Sequence, residues 1–473
     1  MNTRDYLNEA VKNRILILDG AMGMLIYSWR KPNGELLSDS DYLGERFASH
    51  PFPVRGCTDL ICLSKPEIIS AIHEGYLKAG ADIIETCSIN SSTAGLSGFG
   101  LERYAYELSF ASAQIAKKAA HKYDTPEKKR LVAGSIGPTS KNACLTPDPD
   151  DPLTRQISWD ELVPSYYENA RGLLDGGADI LLIETVVDTL NAKAAQFAVK
   201  RLLSERGTDI PVIVSATVNE SGHLLGGQEL KAFATSVMPL DPWAIGINCS
   251  FGAEKMKPYL TELASFAPCP VIAYPNAGFP DQNGNYSDTP EIMADRMEEW
   301  MEKGLVNIAG GCCGSTPLHI KAIASKAQNY RPRVIPGADM KKNYLAGNSL
   351  FGIETGKLSS LKEAASTAEF LAFVCKGDYE SALQEAIEEI VKGAEILFLR
   401  PDTFPDPVNA VRSLIFLSYC FRESARVPIG IECTNPEITE AALKCIQGRC
   451  LVKCGGNAEI LNLAKNYGAV YIE

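Results

Sequence analysis

Three cysteines stand where their thiols could act on one centre. Cys312 and Cys313 are adjacent in the turn Gly310-Gly311-Cys312-Cys313-Gly314-Ser315, directly after the apolar run Leu305-Val306-Asn307-Ile308-Ala309. Neighbouring cysteines in such a turn do not readily bond to each other, and the glycines leave both sulfurs uncovered. They can instead present two thiolates to one soft metal ion. A third thiol stands at the end of another strand-like run, Ile245-Gly246-Ile247-Asn248-Cys249-Ser250. Cys249, Cys312 and Cys313 with a fourth position left open describe a catalytic zinc site. A structural site would need a fourth protein ligand, and no Cys-x-x-Cys pair supplies one.

The elements that must bring these residues together are short β-branched runs alternating with helical patterns. Between residues 11 and 328 the expected strands are Ile15–Leu18, Ile83–Glu85, Leu131–Gly134, Ile180–Ile183, Val212–Ala216, Ala244–Ile247, Val271–Ala273 and Val306–Ala309. Helical spacing fills most of the gaps, as in Pro66–Ala79 and Trp159–Gly176. The repeated junctions Ala79-Gly80-Ala81-Asp82 and Gly176-Gly177-Ala178-Asp179 place glycine where a helix ends left-handed, a sign of reiterated βα units. Eight such strands predict an α/β fold, a (β/α)8 barrel over residues 1–328; a doubly wound sheet is the alternative, but no G-x-G-x-x-G follows the first strand. In a barrel the chemistry belongs at the C-terminal strand ends, and Asp19, Glu184, Cys249 and Cys312-Cys313 all fall there. Residues 329–345 are polar and carry prolines, which predicts a linker. From 346 to 473 a second βα series follows, with expected strands Leu350–Glu354, Ile396–Leu399, Pro428–Glu432, Leu451–Lys453 and Ala469–Ile472: a partial, half-barrel-like domain whose sheet edge needs covering.

At 473 residues the chain exceeds one ordinary core. A net charge of −12 without a basic stripe excludes a nucleic-acid surface. No apolar run is long enough for a bilayer and the start lacks a signal-peptide core, so neither membrane nor secretion is expected and the location read is cytoplasmic. Cys62, Cys269, Cys420 and Cys445 lie in apolar segments and read as small hydrophobes; His73 and His319 lie on helical segments and read as structural.

The motifs Asp19-Gly20-Ala21-Met22-Gly23, Gly137-Pro138-Thr139, Ile183-Glu184-Thr185, Gly246-Ile247-Asn248-Cys249, Pro275-Asn276-Ala277-Gly278 and Gly310-Gly311-Cys312-Cys313-Gly314 together resemble the homocysteine S-methyltransferase family, above all the homocysteine-binding barrel of cobalamin-dependent methionine synthases. The resemblance implies zinc on Cys249, Cys312 and Cys313, the homocysteine ammonium on Asp19 and Glu184, its carboxylate on the amides of Gly20 and Ala21, and Asn276 near the open metal position. The second region resembles the first half of the same enzymes' folate-binding barrel, with Leu443-Lys444-Cys445-Ile446-Gln447-Gly448 carrying the likeness. It departs from that pattern around Phe398 and Arg400, at Glu432-Cys433-Thr434 and at Lys453-Cys454, so folate binding is not expected; no Asp-x-His-x-x-Gly cobalamin motif occurs either.

A free thiol is only a few per cent thiolate at neutral pH. Three protein thiolates on zinc leave a site that deprotonates an arriving thiol yet keeps it nucleophilic. The resemblance therefore implies methylation of homocysteine to methionine, with methylcobalamin held on a separate corrinoid protein that docks near the C-terminal domain. The alternatives are a small donor such as S-methylmethionine or a betaine, and a non-catalytic zinc-binding scaffold.

Overall fold

The computed structural model describes residues 2–148, 151, 153–282, 284, 286–337, 342–354 and 356–472. Its first sheet holds eight parallel strands: β1 Leu16–Ile17, β2 Ile83–Glu85, β3 Leu131–Ile136, β4 Ile180–Val186, β5 Val212–Ala216, β6 Ala244–Gly252, β7 Val271–Asn276 and β8 Ile308–Ala309. They follow in the order β1-β8-β7-β6-β5-β4-β3-β2. A parallel bridge from Leu18 to Ile83 joins the two ends, with Asp19 N–H donating to Ile83 O at 3.0 Å. This is the expected (β/α)8 barrel.

Why the strands close is visible in two repeated features. Gly80 (φ +109°) and Gly177 (φ +99°) adopt the left-handed conformation expected of them. The aspartates that follow are pairing devices: Asp82 accepts the Ile17 N–H at 2.8 Å and Asp179 the Val132 N–H at 3.0 Å, each from a neighbouring strand. Asn307 repeats the device, accepting the Val271 N–H at 2.9 Å. Inside the barrel, Leu16, Leu18, Ile83, Leu131, Ala133, Ile180, Leu182, Ile213, Ala244, Ile272 and Ile308 form one apolar cluster. The N-terminal helix Thr3–Asn13 closes its lower end with Leu7 and Val11, and Trp243 ties to that helix through Asn8 at 2.8 Å.

The C-terminal region departs from expectation in one respect. Lys342–Ala346 (β9), which begins in the stretch read as linker and runs one residue past it, pairs antiparallel with Leu350–Glu354 (β10), so the latter is a hairpin arm and not the first strand of the second series. Gly347-Asn348-Ser349 supplies the turn. The first parallel strand is Glu363–Ala364 (β11), followed by Ile396–Leu399 (β12), Ile429–Glu432 (β13), Leu451–Lys453 (β14) and Val470–Ile472 (β15), in sequential order. Positions 338–341 of the expected linker lie outside the described residues. Just before them, buried Arg333 donates to the carbonyls of Ala264, Ala267 and Cys269, which fastens that segment to the barrel.

The two parts meet along the helix Thr189–Arg206, which follows β4. Buried Lys193 reaches across it and donates to Ile446 O at 2.7 Å and Gly448 O at 3.1 Å. Gln228 donates to Gly347 O at 2.7 Å, and Trp159, Phe197 and Tyr467 pack ring on ring with centroids 5.0 to 5.7 Å apart. No described helix is long and apolar enough to cross a membrane.

Candidate metal centre and amine pocket

Inward-facing residues of the barrel follow a period of two along each strand. At the lower end they are aliphatic, and at the upper end the same parity delivers polar groups: Glu85 above Ile83, Ser135 above Ala133, Glu184 above Leu182, Ser215 above Ile213 and Asn248 two positions beyond Gly246. β7 carries Tyr274 and Asn276 on this parity above Ile272, and Cys312 continues it beyond β8.

Two strands bend to aim their side chains. β4 shifts register between Ile183 and Val186, and Thr185 there has φ +54°. β6 shifts between Cys249 and Gly252, where Cys249 (+55°) and Ser250 (+56°) are both left-handed without being glycine. Bulges and strained residues of this kind concentrate at functional sites. Asn248 braces both: its Oδ1 accepts from Ser215 Oγ (2.7 Å) and Thr185 N (3.1 Å), while its Nδ2 donates to Thr185 Oγ1 (2.8 Å).

The Sγ atoms of Cys249, Cys312 and Cys313 lie within 4.8 Å of one another, the one group among the described residues able to hold a metal ion. A tetrahedral zinc with Zn–S of about 2.3 Å needs sulfurs about 3.8 Å apart, so the donor set fits zinc. Hydrogen bonds from Cys249 and Cys312 hold the Cys313 thiol down to about 3, with Tyr286 adding a further one, while the Cys312 thiol is pushed up, chiefly by its bond to Cys249. The three sulfurs thus already share negative charge, which a metal would take over in exchange for protons. The turn is pinned by Cys312 N–H on Pro275 O (2.8 Å) and by Ala277 N–H on Cys313 O (2.9 Å), which sets Asn276 between the cysteines' backbones. Its buried Oδ1 has no hydrogen-bond partner among the described residues. Cys433 and Cys454 form no second centre there; Cys433 donates to Asp402 at 2.9 Å.

Beside the sulfurs is a carboxyl pocket. Asp19 is buried and accepts the Glu85 N–H on both oxygens at 3.1 Å; buried Glu184 accepts from Ser135 Oγ. Burial raises Glu184 to about 7 and carries Asp19 well above the ordinary carboxylate range, the latter helped by the charge of Glu184. Gly20 is required here, since a Cβ would meet Ser315 Oγ at 2.5 Å and the Tyr76 ring at 3.1 Å. Ser315 Oγ accepts the Ala21 N–H at 3.2 Å and Tyr76 donates to Ala21 O at 2.9 Å, tying the Asp19-Gly20-Ala21 loop to the cysteine turn. Of the two amides expected to take a carboxylate, Ala21's is therefore already engaged.

Two further residues belong to the site. Glu85 was not singled out from the sequence, where its parity with Ile83 was the one signal for it. Tyr286 comes from a loop without periodicity, and no pattern in the sequence marks it. The helical histidines are structural as read: burial pushes His73 down to about 3, and His319 joins Thr316 to Asp288 O.

The profile of the homocysteine S-methyltransferase family matches residues 16–327. The chain belongs to that family. Among solved structures, the homocysteine methyltransferase MmuM of Escherichia coli is similar to it in an oxidised form (26% identity, TM-score 0.52) and a metallated form (26%, 0.51). Each alignment covers 69% of this chain and 100% of the other.

Proposed function

We propose that the protein is a zinc-dependent homocysteine S-methyltransferase that forms methionine. The observation that carries this reading is the meeting of Cys249, Cys312 and Cys313 with Asp19 and Glu184 at one end of the barrel. When bound, zinc supplies the Lewis acidity that makes a substrate thiol a thiolate at neutral pH. Cys249, Cys312 and Cys313 would hold it, and their three negative charges keep the centre from quenching the nucleophile. Asn276, with its unpartnered Oδ1, stands by the open position. Asp19 and Glu184 take the substrate ammonium, a pairing that favours a cation and repels an acid. The Gly20 and Ala21 amides take the substrate carboxylate, Ala21 by exchanging its bond to Ser315. Held at both ends, the substrate can turn its sulfur only toward the cysteines and the incoming methyl group.

For the donor we infer a corrinoid on a separate protein that docks near the C-terminal domain. Exposed Tyr27, Phe52, Ile89, Leu225 and Phe279, on the segments that follow strand ends at the barrel mouth, would suit a large apolar face, and the resemblance to methionine synthases supports the same choice. The upper end of the second sheet is occupied by its own ion pairs, Arg400 with Glu363 and Glu432, and Lys453 with the same two acids, above the Phe398 ring. That self-neutralised surface supports the reading that this region binds no folate. A small donor, S-methylmethionine or a betaine, is the second reading. A chain with fourteen cysteines and no disulfide framework in its spacing fits the reducing cytoplasm.

The test is methionine formation with methylcobalamin against small methyl donors, in wild type and Cys312→Ala, alongside zinc content and homocysteine calorimetry. About one zinc per chain, with homocysteine binding that releases a proton and is lost on chelation, supports the reading. Zinc without homocysteine binding turns it into a scaffold.

A further inference from the structure

We propose that Glu85 is the third ligand of the substrate ammonium and makes the pocket selective for a free primary α-amine. The inference rests on the homocysteine reading of this site. An alkylammonium carries three N–H donors at tetrahedral angles. The pair Asp19 and Glu184 accounts for two, and the third requires another acceptor.

Glu85 is placed to be that acceptor. It ends β2 on the inward parity of Ile83, and its backbone N–H holds both oxygens of Asp19 at 3.1 Å, so the two residues are locked side by side. Its Oε1 is shielded from solvent and has no hydrogen-bond partner among the described residues, and no Lys or Arg there pairs with it. The hydroxyl of fully buried Tyr274 faces Glu184 and likewise has no hydrogen-bond partner among the described residues. Burial and the charges of Glu184 and Asp19 raise the proton affinity of Glu85. A carboxyl kept in this way, without cation or donor, opposes folding. A strand-end glutamate retained for packing alone would be paired or replaced by an apolar residue. A bound ammonium supplies the missing donor and the missing positive charge together.

The experiment uses the zinc-loaded full chain and two ligands, homocysteine and its desamino analogue 4-mercaptobutanoate, titrated calorimetrically into wild type, Glu85→Leu and Glu85→Gln. In Glu85→Leu the affinity for homocysteine should fall roughly ten- to a hundred-fold, the loss expected for one hydrogen bond to a charged donor. Affinity for the analogue, which has no ammonium, should stay within about twofold in that variant, since no contact to it is removed. Glu85→Gln keeps a carbonyl acceptor without the charge and should fall between. Both substitutions should raise the melting temperature of the substrate-free protein while weakening homocysteine binding, opposite signs that a packing role would not produce. Equal losses for both ligands, or unchanged homocysteine affinity, overturn the proposal. If Glu85→Leu does not fold, an unchanged homocysteine-to-analogue ratio in Glu85→Gln overturns it as well. Wild type that holds zinc and binds no homocysteine overturns the reading of the site itself, and this inference with it.

Discussion

Glutamate 184 should make the metal-free, substrate-free protein less stable as pH rises, and Glu184→Gln should abolish that loss. Burial lifts the Glu184 carboxyl to about 7 in the folded chain, against about 4.3 for an exposed glutamate. Below the lower value the group is protonated folded and unfolded, and it contributes no pH dependence. Between the two values the unfolded chain gives up its proton while the folded chain keeps it, so unfolding becomes easier. Above about 7 both states are ionised and the full penalty applies. A gap of roughly 2.7 pH units at about 1.4 kcal/mol each sets it at about 3–4 kcal/mol. Glutamine still accepts from Ser135 but cannot ionise, so the variant should match wild type near pH 4 and exceed it by up to about 3–4 kcal/mol at pH 8. Urea unfolding of chelated protein, followed by tryptophan fluorescence across this range, gives the difference directly. Asp19 and Glu85 titrate in both proteins, and losing the charge of Glu184 eases the ionisation of both, so their part of the difference has the same sign. Curves that run parallel from pH 5 to pH 8 would refute the assignment of Glu184 as a buried carboxyl awaiting a cation.

Cys249→Ala should retain the fold but drop zinc from about one per chain to a small fraction of that, read by metal analysis after desalting. Tyr286→Phe removes the hydroxyl that hydrogen-bonds Cys313; zinc affinity should weaken roughly ten- to a hundred-fold in a competition titration, with the melting temperature of the apoprotein unchanged. Asn248→Ala strands the Ser215 hydroxyl and the Thr185 amide, so it should destabilise by about 2–3 kcal/mol and depress turnover even where the protein stays folded. Lys193→Met leaves the carbonyls of Ile446 and Gly448 without their donor, and hydrogen exchange should quicken in that segment while the barrel strands stay protected.

The barrel was legible because its order is local. β-branched runs, left-handed glycines and strand-leading aspartates repeat with each unit, and each has a physical job that shows in the amino-acid pattern. What escaped depended on backbone geometry or distance. β4 and β6 run on to Val186 and Gly252, past the expected ends, because left-handed Thr185 and Cys249 turn the chain without ending its pairing. β11 has two residues, too few for any periodicity, and Leu350–Glu354 looked like a parallel strand because its partner β9 is only three residues away. The cysteines announced themselves through an unusual pairing of residue types. Glu85 did not, since one acidic residue at a strand end is common; only its parity with Ile83 set it apart. Tyr286 reaches the sulfurs from a loop, and contact of that kind has no one-dimensional trace.

The ammonium of Lys193 between the two sheets has a kinetic meaning. It is sealed in the seam, where burial lowers it to about 8, and it joins the helix that follows Glu184's strand to the turn preceding β14. To separate the parts, that side chain and the carbonyls it serves must be rehydrated together with the Trp159, Phe197 and Tyr467 rings. The seam should therefore open far more slowly than a docking surface that exchanges partners. A protease that cuts the connection after Arg333 should yield a nicked protein whose halves travel together, and the C-terminal sheet would hold whatever it carries at a fixed distance from the cysteines.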